Sequence, residues 1–396
     1  MARLIPGRLC RVALLLLCHA LPAAGQEAWL VTYGPGKEVW ERFGHNALWL
    51  RDTERDLDHV FSFGYFEIDE PGFHLDFARG RMRYFGSAST PEREFAFYRM
   101  RDRSIAIQRL NLDHRQIRQL HGLLYEAIFP IPQYYDYDYF FHNCSTWLRD
   151  LIDEVTGGGL RSQFEAWPAR MNFRDHIRRL NEDRVGLHIG LNLLLGPEID
   201  RPRSAWEEAF LPGALAHWVG RARVGGEPLV LESEQLYASV THRRPDSPGG
   251  LWWFYGGLGL LSLALILMPL MLGNSFWPLL PWRLAVVVTG LGGLVIVLMW
   301  FGTAHDVIAG NAMVLMLNPA WLLVLLPLAG FAARLLWWLL LAGACAGAIV
   351  LGWPEGPQYR GELLAWLVPM LAGMFLLARW RPESGSAGAE SISRPR

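Results

Sequence analysis

Cysteine is scarce in this chain of 396 residues, which has only Cys10, Cys18, Cys144 and Cys345. The first two lie in an N-terminal stretch typical of an export signal, and Cys345 lies inside a long hydrophobic run. A disulfide framework in an exported domain needs several cysteines, and a zinc site needs three or four ligands. The sequence therefore argues against both, and leaves Cys144 outside the membrane without an expected partner.

The chain also lacks a basic block. Its 37 lysine and arginine residues are balanced by 38 aspartate and glutamate residues, for a formal net charge of −1. Because a basic patch is the usual mark of nucleic-acid binding, nucleic acid is not an expected partner. Hydrophobic residues, by contrast, make up 52% of the chain, and tryptophan occurs 18 times. Most of this excess lies beyond residue 250, which indicates an integral membrane half.

The N-terminus has the three parts of a secretory signal. Basic residues come first, followed by the short apolar run 12–17 and by Ala23, Ala24 and Gly25. The alternative is an uncleaved anchor, but the apolar run is shorter than the ~20 residues that a spanning helix needs. We therefore predict a signal peptide over residues 1–25.

Two large regions follow the signal. Residues 26–245 are polar enough for a soluble domain, and 251–380 form a predicted membrane domain. Five apolar segments of near-spanning length lie in that domain, at 251–272, 283–303, 312–331, 335–353 and 361–379. The third and fourth segments are close neighbours, separated by residues 332–334 with the charged Arg334, so four spans is the alternative count. Residues 381–396 are low in hydrophobicity and are predicted to be a disordered cytoplasmic tail.

The positive charges of the membrane half predict its orientation. If the soluble domain is exported, the first span runs from outside to inside, and the ends that carry Arg283, Arg334 and Arg379 face the cytoplasm. Cytoplasmic loops are where lysine and arginine accumulate. The sequence thus predicts a multi-pass protein of the inner membrane, with its soluble domain in the periplasm and the loop 303–306 outside.

Local patterns in the soluble region predict several secondary-structure elements. Segments 47–50 and 60–65 are typical of a β-hairpin joined by the charged turn 51–56, and 105–107 of a further strand. Residues 113–128 have apolar positions at helical spacing, behind an aspartate that is suited to cap a helix.

A second predicted helix starts at Cys144. Asn143 is a good capping residue, Cys144 and Leu148 share one face at helical spacing, and the glycines at 157–159 end the helix. In the first turn, the positive end of the helix dipole favours a thiolate. The cysteine faces the packed side of the helix, so a base must meet it across a helix–sheet contact. The opposing interpretation is a buried, inert thiol.

His45 is the predicted base, because it follows Gly44, which lets the backbone come close, and lies upstream of a lone cysteine that suggests a thiol nucleophile. The alternative is a structural histidine at the start of a strand. A further polar group should orient its imidazole, and Asp58 and His59 are the candidates. These two neighbours point to opposite strand faces, so at most one of them faces His45. The oxyanion hole is assigned either to Asn143 or to backbone amides at the helix start.

These motifs together resemble a known family. The motifs are Gly44-His45-Asn46-Ala47-Leu48, Phe63-Gly64, Phe77-Ala78-Arg79-Gly80, Asn143-Cys144-Ser145-Thr146, Arg149-Asp150 and Phe301-Gly302-Thr303-Ala304-His305. The pattern resembles the Lnb-type N-terminal periplasmic domain, a family that includes lipoprotein N-acyltransferases of Gram-negative bacteria. The order of histidine and cysteine is also similar to circularly permuted NlpC-type papain-like enzymes such as lecithin:retinol acyltransferase. Asn46 departs from the pattern, which has a small hydroxyl residue there.

The resemblance implies an α+β, papain-like periplasmic domain followed by an α-helical membrane bundle. It also implies an acyltransferase without a cofactor or metal, in which His45 takes the proton of Cys144. The thiolate attacks an ester of a phospholipid acyl donor, and the thioester passes its chain to the N-terminal amine of a bacterial lipoprotein. Holding such an enzyme at the membrane surface favours a reaction between membrane-borne partners.

Four polar residues are candidate substrate-binding groups. His305, Asp306 and Asn311 lie at the expected outer mouth of the bundle, where polar side chains suit a lipid or lipoprotein site. Arg149, on the cysteine helix, is the fourth. The alternatives are an ordinary solvated loop for the first three and a surface charge for Arg149.

Two other functions stay open. A cysteine peptidase or amidase uses the same Cys144–His45 pair, with water in place of the amine. In a non-catalytic membrane-bound binding module, Cys144 is structural.

Overall fold

The computed structural model describes residues 25–131, 133–242, 244–272 and 276–380. The expected signal peptide and the expected tail at 381–396 lie outside them, apart from residue 25. The chain forms two compact units. The sheet unit consists of the described parts of Met1–Phe66, Arg83–Pro168 and Ser204–Arg243. The membrane unit consists of the described parts of Glu67–Met82, Ala169–Arg203 and Arg244–Arg396.

A seven-stranded antiparallel sheet is the centre of the sheet unit. Its order is β6-β4-β3-β2-β1-β5-β9, and β7 and β8 form a separate hairpin. The strands are β1 Gln26–Tyr33, β2 His45–Asp52, β3 Leu57–Tyr65, β4 Arg83–Ser89, β5 Ile105–Leu110, β6 Tyr135–Asp136, β7 Arg223–Val224, β8 Glu227–Pro228 and β9 Val230–Tyr237. The predicted hairpin is confirmed as β2 and β3, with Ala47 opposite Ser62.

Helices cover both faces of this sheet. They are α2 Pro91–Met100, α3 His114–Ile128, α4 Cys144–Val155, α5 Gly159–Ala166, α8 Ala205–Glu208 and α9 Pro212–Val219. Phe95 and Tyr98 of α2 pack with Val31 and Ala47 on one face. Helix α4 contacts β2, β3 and α3 on the other face. Asp113 caps α3 as predicted, since its side chain accepts a hydrogen bond from the Gln116 backbone.

Helix α4 begins at Cys144 because Asn143 satisfies its first amides. The Asn143 side chain accepts hydrogen bonds from the backbone N–H groups of Ser145 and Thr146, and Thr146 returns a bond to the Asn143 backbone. This capping box replaces helical hydrogen bonds that the first turn lacks. The cap therefore fixes Cys144 at the first helical position.

Eight helices form the membrane unit. They are α1 Phe73–Ala78, α6 Phe173–Asn181, α7 Val185–Leu194, α10 Trp252–Leu267, α11 Pro269–Leu272, α12 Phe276–Gly302, α13 Gly330–Gly352 and α14 Gly361–Trp380. Among the described residues, four helices are long and apolar enough to cross a membrane. They are Trp252–Leu272, Leu279–Gly302, Gly330–Gly352 and Gly361–Arg379. A sheet domain followed by apolar helices agrees with the predicted α+β fold and membrane bundle.

The predicted helical span at 312–331 is wrong. This segment instead contains the 3-10 turns Ala312–Leu315 and Pro319–Leu325. Asn318 and Pro319 interrupt it, because the Asn318 side chain accepts a hydrogen bond from the Ala320 backbone and proline lacks an N–H. Non-helical backbone at membrane depth is tolerated only where protein encloses it, and Trp321 is fully buried here.

Glycines in the neighbouring helices admit this irregular segment. A Cβ atom on Gly293 of α12 would lie 2.1 Å from the Leu317 carbonyl oxygen, and one on Gly347 of α13 would lie 2.5 Å from Met316 Cγ. Any side chain at either position collides with the segment. The segment is thus a fifth pass along the bundle, made of 3-10 turns rather than α-helix.

The passes alternate in direction, so the arginines gather at one end of the bundle. Trp282 donates a hydrogen bond to the Met374 carbonyl, which joins the start of α12 to the last part of α14. The Trp337 ring lies 5.7 Å from the Phe375 ring, which brings the first part of α13 to the same level. Arg283, Arg334 and Arg379 are consequently at the same end.

The domain boundary differs from the predicted one, since 67–82 and 169–203 belong to the membrane unit. A buried ionic cluster shows the reason. Asp200 accepts hydrogen bonds from Arg174 at 2.6 Å and from Arg360 at 2.8 Å. A buried charge of this kind needs its partners, so the cluster ties 169–203 to the segment before α14.

Candidate active site

The Cys144 side chain lies at the N-terminal end of α4, under the sheet, and is only 8% exposed. Gly64 of β3 makes room for it. A Cβ on Gly64 would lie 3.7 Å from Cys144 Cβ and equally far from the Tyr137 ring. Gly64 has a φ of +100°, and the β3–β4 register shifts at this point. Such bulges often stand beside active sites, where they redirect the chain.

Burial dominates the ionisation of Cys144. It raises the pKa of the thiol above the ordinary value, against hydrogen bonding from the Asn46 backbone and Ser145 and the charge of Arg103, which lower it. The expected thiolate in the first helical turn is therefore not the resting form, because desolvation outweighs the helix end. Cys144 is held as a neutral thiol.

A buried hydrogen bond joins the cysteine helix to the strand that carries His45. Ser145 Oγ donates to Asn46 Oδ1 at 2.8 Å, and Asn46 Nδ2 donates to Thr32 Oγ1 at 2.9 Å. Asn46 thus links α4 to β2 and β1. This pairing could not be predicted, because its members lie far apart in the chain.

His45 is the first residue of β2, opposite Tyr33 of β1. Its ring stacks with the rings of Tyr33 and Tyr98, at centroid distances of 6.0 and 6.4 Å. Burial, with the nearby charge of Arg103, lowers the pKa of the imidazole to about 3. At neutral pH the ring is uncharged and has a lone pair that can accept a proton.

The thiol and the imidazole approach β2 from different faces. His45 faces α2 through Tyr98, whereas the next residue, Asn46, faces α4 through Ser145. At this point of β2 the imidazole faces α2, and the expected contact between the imidazole and the thiol stays a prediction. Within the part of the chain that the structure describes, no hydrogen bond joins Cys144 Sγ to the His45 ring.

The two groups nevertheless share one end of the sheet. The charge of Arg103 lowers the pKa of both, and Cys144 is among the charges that raise the pKa of Tyr98. Arg103 is buried, donates through Nε to the Gly34 carbonyl at 2.9 Å and lies 4.7 Å above the Tyr98 ring. Sequence reasoning missed Arg103, because an isolated arginine at a strand start is usually a surface charge.

A buried carboxyl group is a second feature that the sequence did not reveal. Glu94 of α2 accepts hydrogen bonds from Ser62 Oγ at 3.1 Å and from Ser89 Oγ at 2.8 Å. Burial raises its pKa, against the serine hydrogen bonds, which lower it. This carboxyl lies on the face of the sheet that carries His45.

The strand register corrects the expectation for Asp58 and His59. Asp58 pairs with Arg51 and His59 with Leu50, at the far end of β2 from His45. Asp58 instead accepts a hydrogen bond from Trp49 Nε1 at 2.6 Å. Neither residue lies across the hairpin from the imidazole, so neither orients it.

Asn143 is fully occupied as a cap, which excludes its side chain from the oxyanion hole. Besides accepting two backbone hydrogen bonds, its Nδ2 donates to the Tyr139 carbonyl at 2.8 Å and to the Phe210 carbonyl at 3.1 Å. An amide nitrogen has only two protons to give. The backbone alternative remains, because the Cys144 N–H has no hydrogen-bond partner among the described residues.

Arg149 is a structural residue rather than a substrate contact. It is buried, pairs with Asp150 and donates to the Trp206 carbonyl at 2.7 Å. Its guanidinium lies 3.8 Å above the Trp206 ring. These contacts use the nitrogen atoms on which substrate binding would depend.

The predicted binding residues of the membrane unit have different environments. Asn311 is fully buried, and its side chain donates to the Leu193 and Leu194 carbonyls and accepts from Gln358. Its hydrogen bonds therefore join the end of α7 to Gln358, so Asn311 has a structural role and is not a ligand site. His305 Nε2 lies 3.2 Å from the Phe77 carbonyl, and Asp306 opens the 3-10 turn Asp306–Ile308.

The fold and the site define a class: an α+β domain with a thiol in the first turn of a capped helix, carried by a chain with a bundle of apolar helices. Residues 23–183 match the family model of the Lnb N-terminal periplasmic domain. Neither the curated proteins nor the solved structures gave a match to the chain. The family match and the four spanning-length helices indicate a membrane protein with a periplasmic domain.

Proposed function

We propose that this protein is a membrane-bound, cysteine-dependent acyltransferase of the inner membrane. It moves a fatty acyl chain from a phospholipid ester through a Cys144 thioester to the N-terminal amine of a bacterial lipoprotein. The observation that carries the proposal is the capped thiol at the start of α4, inside the segment that matches the Lnb N-terminal periplasmic domain. The predicted papain-like ancestry of the domain belongs to the same proposal.

The first step starts from a neutral pair. The His45 imidazole accepts the thiol proton while Cys144 Sγ attacks the ester carbonyl carbon. The ester C–O bond then breaks, the imidazolium returns the proton to the departing lipid alcohol, and a lysolipid leaves. Because the thiol pKa is raised and the imidazole pKa lowered, proton transfer accompanies the attack rather than preceding it.

The second step transfers the chain. The lipoprotein amine attacks the thioester carbonyl, loses its proton to His45, and expels the sulfur, which recovers that proton. In each step the carbonyl oxygen becomes negative, and the backbone N–H of Cys144 is the donor that the cap leaves free to stabilise it. The proposal requires the His45 imidazole to reach the sulfur when substrate is bound; His45 opens β2 directly after Gly44, whose φ is +87°. Catalytic hydrogen bonds commonly tighten only when substrate is bound.

The bundle supports a location in the inner membrane. Arg283, Arg334 and Arg379 share one end, and by the positive-inside rule that end faces the cytoplasm. The opposite end, which carries the loop 303–306, then faces the periplasm. This orientation agrees with an exported thiol domain.

One set of observations favours the second candidate, a binding module in which Cys144 is structural. The thiol is buried, its pKa is raised, and its described contacts do not include the imidazole. Buried free cysteine often behaves as a small apolar residue. The decisive experiment must therefore separate catalysis from folding.

The test is complementation of cells that lack the protein, read by mass spectrometry of a lipoprotein N-terminus. Cys144→Ser and His45→Ala should abolish N-acylation while the protein stays in the membrane at normal abundance. Cys345→Ser, which changes a free cysteine inside α13, is the matched control and should keep activity. Full N-acylation by Cys144→Ala would refute the acyltransferase. Cleavage of a peptide or cell-wall bond by the purified protein, without lipid transfer, would support a peptidase or amidase.

A further inference from the structure

An open cavity of about 610 Å³ lies at the end of α12 in the membrane unit. It is lined by Arg79, Arg81, Phe301, Gly302, Thr303 and Ala304. Residue 302 is the last residue of a spanning-length helix. The cavity is therefore at the level where the hydrocarbon core gives way to the headgroups.

The polar wall of this cavity is built from two guanidinium groups. Arg79 and Arg81 are both exposed, and neither has a carboxylate partner within the described ranges. Arginine is suited to phosphate because its planar fork forms paired, charge-assisted hydrogen bonds. Two unpaired guanidiniums at a membrane boundary form a site of high positive potential for a lipid phosphate.

The apolar wall fits acyl chains rather than a free anion. Phe301 is 75% exposed on the side of α12, and Leu75 and Phe77 of α1 are also exposed. Exposed apolar side chains beside basic residues are what an interfacial segment presents to a bilayer. A soluble phosphate cannot contact the apolar wall favourably, whereas a diacyl phospholipid can place its phosphate on the arginines and its acyl chains on the apolar wall.

The arginine-bearing loop is fixed to the helix end. Ala304 N–H donates to the Arg79 carbonyl at 2.8 Å, and a Cβ on Gly80, whose φ is +77°, would lie 2.9 Å from the Ala304 carbonyl carbon. Only glycine permits this approach. The backbone that carries the two arginines is therefore fixed at the helix end before a ligand arrives.

We propose that Arg79 and Arg81 bind the phosphate of a diacyl phospholipid whose chains lie along Phe301 and α1. This inference deepens the proposed function, because it names a binding site for the class of lipid that donates the acyl chain. The site is at the bundle end opposite Arg283, Arg334 and Arg379. By the orientation proposed above, it takes lipid from the periplasmic leaflet.

The test measures phosphatidylglycerol bound to the delipidated full-length protein in detergent, by native mass spectrometry. Arg79→Gln with Arg81→Gln should weaken binding about 30-fold, since a basic residue near a membrane surface contributes about 1 kcal/mol. Arg115→Gln with Arg118→Gln removes the same charge from the exposed side of α3 and should leave binding unchanged. Arg79→Lys with Arg81→Lys keeps the charge but not the paired geometry, and should give an intermediate affinity.

Further arms identify the ligand. Diacylglycerol, which lacks a phosphate, should bind poorly, and millimolar inorganic phosphate should not displace the lipid. Equal binding of diacylglycerol, displacement by phosphate, or unchanged affinity of the Gln variant would each overturn the proposal. Cys144→Ala should bind phosphatidylglycerol like the unchanged protein. If the acylation test fails while lipid binding still depends on the two arginines, the proposed acyltransferase activity is refuted and the lipid site is not.

Discussion

The ionisation state of Cys144 can be tested directly by alkylation. Burial raises the pKa of the thiol above its ordinary value, so the thiol form predominates at pH 7. Only the thiolate reacts with an alkylating reagent. The rate should therefore fall about tenfold for each pH unit below the thiol pKa, without a plateau between pH 8 and pH 6.

The assay uses the full-length protein carrying Cys345→Ser. Iodoacetamide is added between pH 6 and pH 9, the reaction is quenched at intervals, and the peptide that contains Cys144 is quantified by mass spectrometry. Glutathione in the same buffers corrects for the reagent. A resting thiolate–imidazolium pair would instead give a rate that is nearly constant below pH 8. Such a plateau would refute the neutral resting pair.

Substitution of Arg103 tests the electrostatic explanation, because the charge of Arg103 lowers the pKa of both the Cys144 thiol and the His45 imidazole. Arg103→Gln should raise the thiol pKa further, so alkylation at pH 8 becomes slower, while the imidazole pKa rises from about 3 towards its ordinary value. Arg103→Lys retains the charge and should behave more like the unchanged protein. Faster alkylation of Arg103→Gln at pH 8 would contradict the electrostatic argument.

Two further substitutions test the packing. Gly64→Ala should cost about 1–3 kcal/mol of stability because of its positive φ, and should also slow acyl transfer, since the new methyl group contacts Cys144. Gly157→Ala, with a φ of +70° and open space around it, is the control that loses stability alone. Gly293→Ala should prevent folded protein from accumulating in membranes, whereas Gly292→Ala, with only an ordinary 3.6 Å contact, should not. Thermal unfolding and membrane abundance are the measurements, and equal behaviour within either pair would contradict the prediction.

The parts of the fold that could be predicted are those determined by neighbours in the chain. The cap of α4 needs Asn143 and Thr146, three residues apart, and α3 follows from Asp113 and a helical repeat. Strand β9 escaped prediction because its pairing partner, β5, is distant in the chain. Strands β1 and β4 pair with the neighbouring strands β2 and β3 and were also missed. Register is equally non-local, which is why the positions of Asp58 and His59 stayed open until the structure was known.

Hydropathy overcounted the spanning helices for a physical reason. It reports whether a segment can be buried, not whether its backbone is helical. Segment 312–331 is apolar and lies in the bundle, yet Asn318 and Pro319 break its helical hydrogen bonds. The signal for this break was present in the Asn-Pro pair. The glycines of α12 and α13 that admit the irregular backbone become meaningful only once the helices are packed.

The burial that makes Cys144 a poor resting nucleophile also bears on which reaction would follow the proposed thioester. A thiol that is 8% exposed and packed beside Gly64 and Tyr137 gives a thioester with little access for bulk water. Excluding water suppresses hydrolysis of a reactive intermediate, which favours transfer to an amine over the peptidase or amidase alternative. Gly64→Ala tightens the same contact, so it should lower the rate of thioester formation without raising the share of free fatty acid among the products. The products of the unchanged protein are compared with acceptor in excess. If free fatty acid exceeds acylated lipoprotein, burial does not protect the thioester from water.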